Sequence, residues 1–245
     1  MYRETRPSQL STPDSWADLF GDVRRRPFWR PWRIRRSPEW TLIRRYVPAG
    51  ARVLDAGCGN GAWVEALASR YDSEGCDYSE RMVQQLREGF PERRWTRADI
   101  RALPYEEGRF GGIVSWGVIE HDPAGPDAAL KEFHRVLAKD GVIVVTVPRD
   151  YDVQRRAAQL DGSDGNGVFY QFCMTPQELG TFAEAAGFQV LETGVVRGAN
   201  AYLAWPLFMR RQSGLRLRLI ALAFGWLGVV TKRWAGMVYC VAKKA

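Results

Sequence analysis

The chain has 245 residues, 46% of them hydrophobic and 26% charged, which suits a folded domain with room for a sizeable core and excludes collagen, low-complexity disorder and a coiled coil. Its formal net charge of +7 is unevenly spread. Residues 1–50 hold 11 Arg against 5 acids, residues 198–245 hold 8 basic residues and no acid, and the stretch between holds 16 bases against 23 acids. Two cationic ends therefore flank an acidic middle, and the ends point to an anionic partner: phosphate, a membrane surface or nucleic acid.

The four cysteines, at 58, 76, 173 and 240, form no C-x-x-C pair, so reduced thiols in a cytoplasmic setting fit better than a disulfide framework or a zinc ribbon. The first residues contain no apolar run of the secretory kind. The apolar run 219–231 is 13 residues long, short of the roughly 20 that a helix needs to span a bilayer.

In chain order, residues 1–37 are rich in Arg, Trp, Pro and Ser and read as an irregular basic arm, with one short helix over 15–20. Ser37 as cap and Pro38 at the first helical position open a helix through 46, and with it the main domain, 38–245. From residue 52 the pattern becomes strand, glycine turn, helix, repeated. Strands are expected over 52–57, 72–77, 93–99, 110–116 and 141–148, and helices over 62–71, 79–90 and 126–138. Thr175 caps a further helix, and strands over 188–196 and 237–244 close the domain. Short apolar runs alternating with helical patterns indicate a mostly parallel sheet with helices on both faces.

The sharpest local signal is the run Val53-Leu-Asp-Ala-Gly-Cys-Gly-Asn-Gly61, a buried strand entering a turn with glycines at 57, 59 and 61. Small residues let the backbone approach a ligand closely, and a following helix start favours a carboxylate or phosphate. The spacing is not G-x-G-x-x-G, which counts against dinucleotide binding. Asp55 stands inside the strand end, where it can organise the loop or accept from a cationic ligand. Asp77, at the end of the next strand in GCDYS, suits ribose hydroxyls. Asp99 and Ile100 end the third strand, as an acceptor for an adenine amino group and an apolar surface for its ring. Ser115 and Trp116 end the fourth. All four places lie at the carboxyl ends of strands, where open sheets of this kind bind ligands.

Taken together, DAGCGNG, the acid of CDYS, RADIRALPYEEGRFGGIVSWGVIEH and LKEFHRVLAKDGVIVVTVP resemble the successive motifs of class I S-adenosylmethionine-dependent methyltransferases, most closely those that methylate small molecules. The resemblance spans residues 38–197. It implies an α/β, Rossmann-like, seven-stranded mostly parallel sheet with a reversed last strand, and S-adenosylmethionine as cofactor. It places the loop of Gly57, Gly59 and Gly61 at the methionine part, Asp77 at ribose, Asp99 and Ile100 at adenine, and Trp116 toward the methyl group, with Asp55, Cys58, Tyr78 and Ser115 as further cofactor-binding candidates. The cofactor brings an activated methyl, so the protein has chiefly to align the reactants and exclude water.

His121, in GVIEHDP, is the candidate general base for a hydroxyl acceptor and a candidate substrate contact; the alternative is that it orients its loop. Relatives carrying E-x-x-E-H at this place use a divalent metal, but Gly117 replaces the first Glu here, so no metal is expected. Tyr170, in a segment where the family builds its substrate wall, is a further substrate candidate. The arm 24–36 has seven Arg and three aromatics in thirteen residues, suited to a membrane interface or to capping the cleft. The segment 198–235 is an apolar, basic insertion between the two closing strands: a lid, a membrane contact or a packing surface. The expected acceptor is a small, glycan or lipid-linked molecule, and nucleic acid is not favoured. The expected location is cytoplasmic, with peripheral attachment at an anionic inner membrane surface as an option. An RNA or protein acceptor, or a non-catalytic adenosylmethionine-binding subunit, are the rival readings.

Overall fold

A computed structural model describes residues 1–6, 31–150, 168–196 and 236–245. The helix expected over 15–20, most of the Arg/Trp arm and the insertion over 198–235 lie outside the described residues.

Seven strands build the main sheet, in the order β4-β3-β2-β5-β6-β9-β8. They are β2 (Arg52–Ala56), β3 (Asp72–Asp77), β4 (Arg94–Arg97), β5 (Phe110–Trp116), β6 (Leu137–Pro148), β8 (Phe188–Val196) and β9 (Met237–Lys244). The pairs β2–β3, β2–β5, β3–β4 and β5–β6 are parallel, and β9 runs antiparallel to both of its neighbours. The reversed last strand thus sits between β6 and β8, and all others point the same way.

Alternation along the strands fixes the two faces. Leu54, Ile113, Ile143, Val145 and Cys240 turn to one side, under α5 (Asp127–Val136) and α6 (Pro176–Ala185). Val53, Val114, Val144, Tyr239 and Val241 turn to the other. There they meet α2 (Pro38–Tyr46) and α3 (Ala62–Leu67), with α4 (Glu80–Gly89) beside them over Trp95. Both faces of the central strands are dry, which is why these strands read as unbroken apolar runs. Side-chain caps hold the helix starts, two of them, Ser37 and Thr175, expected from the sequence. Ser37 accepts from the Trp40 amide at 3.2 Å, Ser79 from the Met82 amide at 3.2 Å, and Thr175 with Glu178 forms a reciprocal capping box.

Several elements depart from the sequence reading. The helix expected through 138 stops at Val136, because Leu137 is buried and pairs with Phe110; β6 then bulges at Lys139–Gly141, with Asp140 at φ 63°, before Val142 pairs with Gly112. The helix expected over 62–71 closes at Leu67. A second, two-stranded sheet joins β1 (Tyr2–Arg6) to β7 (Val168–Cys173), antiparallel, where an irregular arm was expected at one end and no strand at the other. A short helix, α1 (Pro31–Ile34), also packs on α3 and buries Ile34, so the end of the arm belongs to the core.

Candidate functional site

β2 runs straight into the glycine turn, and the turn's shape explains its composition. Gly57, Gly59 and Gly61 all have positive φ, 81°, 50° and 77°. A Cβ on Gly57 would stand 2.5 Å from Cγ2 of Val118, and one on Gly61 would stand 2.6 Å from the Trp95 ring. No side chain can be added at either place without moving a packed neighbour. The Gly57 and Cys58 amides both donate to the Cys76 carbonyl, at 2.9 and 2.8 Å, tying the turn to β3.

Asp55 lies beneath this turn, 1% exposed, and neither carboxylate oxygen has a partner. Burial, reinforced by the charge of Asp77, holds its pKa well above the usual carboxylate range. An unpaired buried acid is costly unless a cation or donor comes to it. Asp77 accepts from the Gly59 amide through Oδ2 at 2.8 Å and from the Ser79 amide through Oδ1 at 2.9 Å. Each oxygen keeps capacity for a further donor such as a ribose hydroxyl. Burial raises its pKa, and these amide bonds oppose the rise. Tyr78, next to it, is 53% exposed. Cys58 is buried, and burial pushes its thiol well up, which disfavours the thiolate.

Asp99 follows β4. Arg101 holds it through Nε to Oδ1 at 2.9 Å and through Nη2 to Oδ2 at 2.7 Å, and this partner lowers its pKa. Ile100 packs against the core cluster. Past β5 the chain turns at Gly117, φ 69°, where a Cβ would lie 3.3 Å from Oε1 of Glu120; a larger residue here would meet both strain and crowding. A single 3-10 turn, Ile119–His121, then ends in His121, whose Nε2 is 3.8 Å from Glu120 Oε1. Glu120 itself is 1% exposed, and burial pushes its pKa up to about 8.

Residues 24–193 match the family model described as a methyltransferase domain. The chain belongs to that family. A Mycolicibacterium smegmatis protein named as an S-adenosylmethionine-dependent methyltransferase is 32% identical over 157 residues, covering 62% of this chain and 58% of that protein. A Bacillus subtilis protein named for 23S rRNA guanine-N1 methylation is 30% identical, covering 42% of this chain and 36% of that one. The chain therefore spans between about a third and three fifths of these relatives' lengths. Among solved structures, the Burkholderia thailandensis 1,6-didemethyltoxoflavin-N1-methyltransferase, with 1,6-didemethyltoxoflavin and S-adenosylhomocysteine bound, superposes with a TM-score of 0.57 at 17% identity, over 99% of this chain and 95% of that one. This likeness bears on the fold.

Within this methyltransferase domain the predicted residues gather at one edge of the sheet: the glycine turn, Asp55, Asp77, Tyr78, Asp99, Ile100, Trp116 and His121 all stand at the carboxyl ends of β2 to β5 or just beyond. Ser115 is the exception in role. It is 1% exposed, and its hydroxyl donates to the Ala56 carbonyl at 2.9 Å, so its side chain braces the root of the glycine turn instead of facing a ligand. Trp116 is largely buried, stacked on Trp63 at 4.3 Å between ring centroids, and its indole N–H has no partner. Tyr170 falls within β7, but its side chain lies outside the described residues. Four residues near the site escaped the sequence reading: Trp63, Arg101, Glu120 and Asp122. The Asp-x-Arg spacing at 99–101 was a usable signal for one of them. Burial of Glu120 and stacking of Trp63 are products of packing that no local pattern announces.

Proposed function

We propose that the chain binds S-adenosylmethionine at this edge and transfers its methyl group, by in-line displacement, to a small or lipid-linked acceptor, with a hydroxyl as the attacking group. The observation that carries the reading is the orphaned carboxylate of Asp55 beneath a glycine turn with no room for side chains. The residues present fit the cofactor: Asp55 offers an acceptor to its ammonium group, Asp77 to ribose, and Asp99 to adenine. The cofactor named for the Mycolicibacterium relative and the S-adenosylhomocysteine bound in the Burkholderia structure support it. When bound, S-adenosylmethionine supplies a methyl group already activated by the sulfonium charge. The chain's own work is then to hold the acceptor in line and keep water out, with Trp63 and Trp116 forming a dry aromatic wall beside the turn. His121, three residues past Val118, is the candidate base for the acceptor hydroxyl.

The Burkholderia enzyme's named ligand supports a small-molecule acceptor. The cationic ends support an acceptor carried at an anionic membrane surface, and no helix among the described residues is long and apolar enough to cross one. A second reading, an RNA acceptor, draws on the same cationic ends and on the rRNA-named relative, and the expectation against nucleic acid finds no support among the relatives. Labelled methyl transfer into a cell extract, fractionated into lipid, glycan, RNA and protein, separates them. Label in lipid or small molecules is expected, and label in RNA replaces the first reading with the second. In the same preparation, Asp77→Ala should weaken S-adenosylhomocysteine binding by roughly ten- to hundredfold. Unchanged affinity overturns the cofactor assignment.

A further inference from the structure

Arg101 joins two turns that are far apart in sequence. Its backbone amide donates to Asp99 Oδ1 at 2.9 Å, and its guanidinium grips the same carboxylate through Nε, at 2.9 and 3.2 Å from the two oxygens, and Nη2, at 2.7 Å. The remaining arm of the fork, Nη1, reaches Oδ2 of Asp122 at 3.2 Å, just past His121. Asp122 is in turn set by the Ala124 amide, which donates to Oδ1 at 2.9 Å. The Arg101 backbone has little freedom, since Ala102 N–H donates to the Asp99 carbonyl at 3.0 Å and closes the turn. Both acids stand on the ligand edge of the sheet: Asp99 two residues past β4, Asp122 six residues past β5.

A carboxylate offers about four acceptor positions. Arg101 takes about three of those on Asp99 with its backbone amide, a shared Nε–H and Nη2–H. Room for one more donor remains. A guanidinium is a rigid planar fork, so it fixes the plane of the carboxylate as well as its charge.

We propose that Arg101 is a positioning residue, which presents the last free acceptor position of Asp99 to the six-amino group of adenine and anchors that geometry to the acceptor-side turn through Asp122. The inference rests on the preceding reading of the site as one for S-adenosylmethionine. It adds a specificity the fold alone does not give. An ionised, oriented carboxylate welcomes the amino donor of adenine and repels the oxo group of hypoxanthine.

The test compares S-adenosylhomocysteine with S-inosylhomocysteine by calorimetry on the full chain, for the native protein, Arg101→Ala, Arg101→Lys and Asp122→Asn, with an unfolding midpoint for each. The native protein is expected to prefer the adenosyl ligand by about tenfold or more, because a site built to hydrogen-bond an amino group rejects the analogue that lacks it. Arg101→Ala should cut that preference by at least about fivefold, chiefly through weaker adenosyl binding. Arg101→Lys keeps the charge and loses the fork, and should restore less than half of the loss. Asp122→Asn, which leaves the Asp99 grip intact, should show a smaller cut in the same direction and guards against a misfolded Ala variant. An unchanged ratio in folded Arg101→Ala, or tighter adenosyl binding because Arg101 had been blocking Asp99, overturns the proposal while leaving the cofactor reading in place. A native protein that binds neither ligand overturns both.

Discussion

Glu120 shows how much a single position can owe to its surroundings. In the sequence it is the neighbour of a histidine; in the fold it is 1% exposed, with Oε2 unpartnered and its pKa pushed up to about 8 by burial. The folded chain therefore keeps a proton that the unfolded chain gives up above its ordinary value near 4.5. With more protons bound in the folded state, the stability owed to this group is complete below about pH 4.5 and is lost as pH rises through about 8. Glu120→Gln stays neutral throughout. The variant should gain on the native protein as pH rises, by up to a few kcal/mol at pH 8.5 and by little at pH 4.5. Denaturant unfolding at both pH values reads this directly. An equal difference at the two would mean that Glu120 does not change its charge in that window. Sequence reasoning placed Asp55, Asp77 and Asp99 at the site because strand ends announce themselves. It passed over Glu120 because solvent exclusion comes from β6 and β7, which close on the 3-10 turn from elsewhere in the chain.

At the scale of elements, the glycine turn separates two costs that substitutions usually mix. Gly57 and Gly50 share nearly the same backbone, φ 81° and 77°, but a Cβ on Gly50 would meet nothing within 4 Å, whereas one on Gly57 would strike Val118. Gly50→Ala should cost only the left-handed conformation, about 1–2 kcal/mol. Gly57→Ala should cost about 1–3 kcal/mol more, from forced repacking of the Val118 side chain. Adding Val118→Ala should recover part of that excess and none of the conformational cost. Equal losses at the two glycines would mean that the turn yields freely. Local signals carried most elements here: caps at Ser37 and Thr175, apolar runs for the central strands, glycines for the turn. What they could not carry was pairing at a distance. β1 and β7 are about 170 residues apart in sequence and become strands only in each other's company, and Leu137 leaves its helix because Phe110 offers it a partner.

At the scale of the molecule, the ends of β8 and β9 define what lies between them. Val196 is paired with Met237, so the residues between leave and return at one point, on the same edge as the glycine turn. A tight turn can join these two strands in place of 197–236 without altering their register. That replacement should leave S-adenosylhomocysteine affinity within about twofold, since the cofactor contacts proposed lie on β2 to β5, and should abolish transfer to the native acceptor. It also removes seven of the chain's 35 basic residues, so binding to anionic vesicles at low salt should fall and the residual binding should depend less on salt. Loss of cofactor binding in the replacement would place part of the cofactor site in the removed segment.

The reversed strand has a consequence for how the protein is made. Among the described strands β9 comes last from the ribosome, yet it takes an interior place, between β6 and β8. Until it emerges, β6 and β8 stand with open edges across a gap one strand wide, and Glu192 lacks the Tyr239 hydroxyl that later donates to it at 2.6 Å. Between the emergence of Val196 and that of Met237 the growing chain thus carries two strand edges without their common partner, a state open to mispairing with other chains. Completion of the sheet therefore waits for β9, whose entry covers the edges of β6 and β8 together.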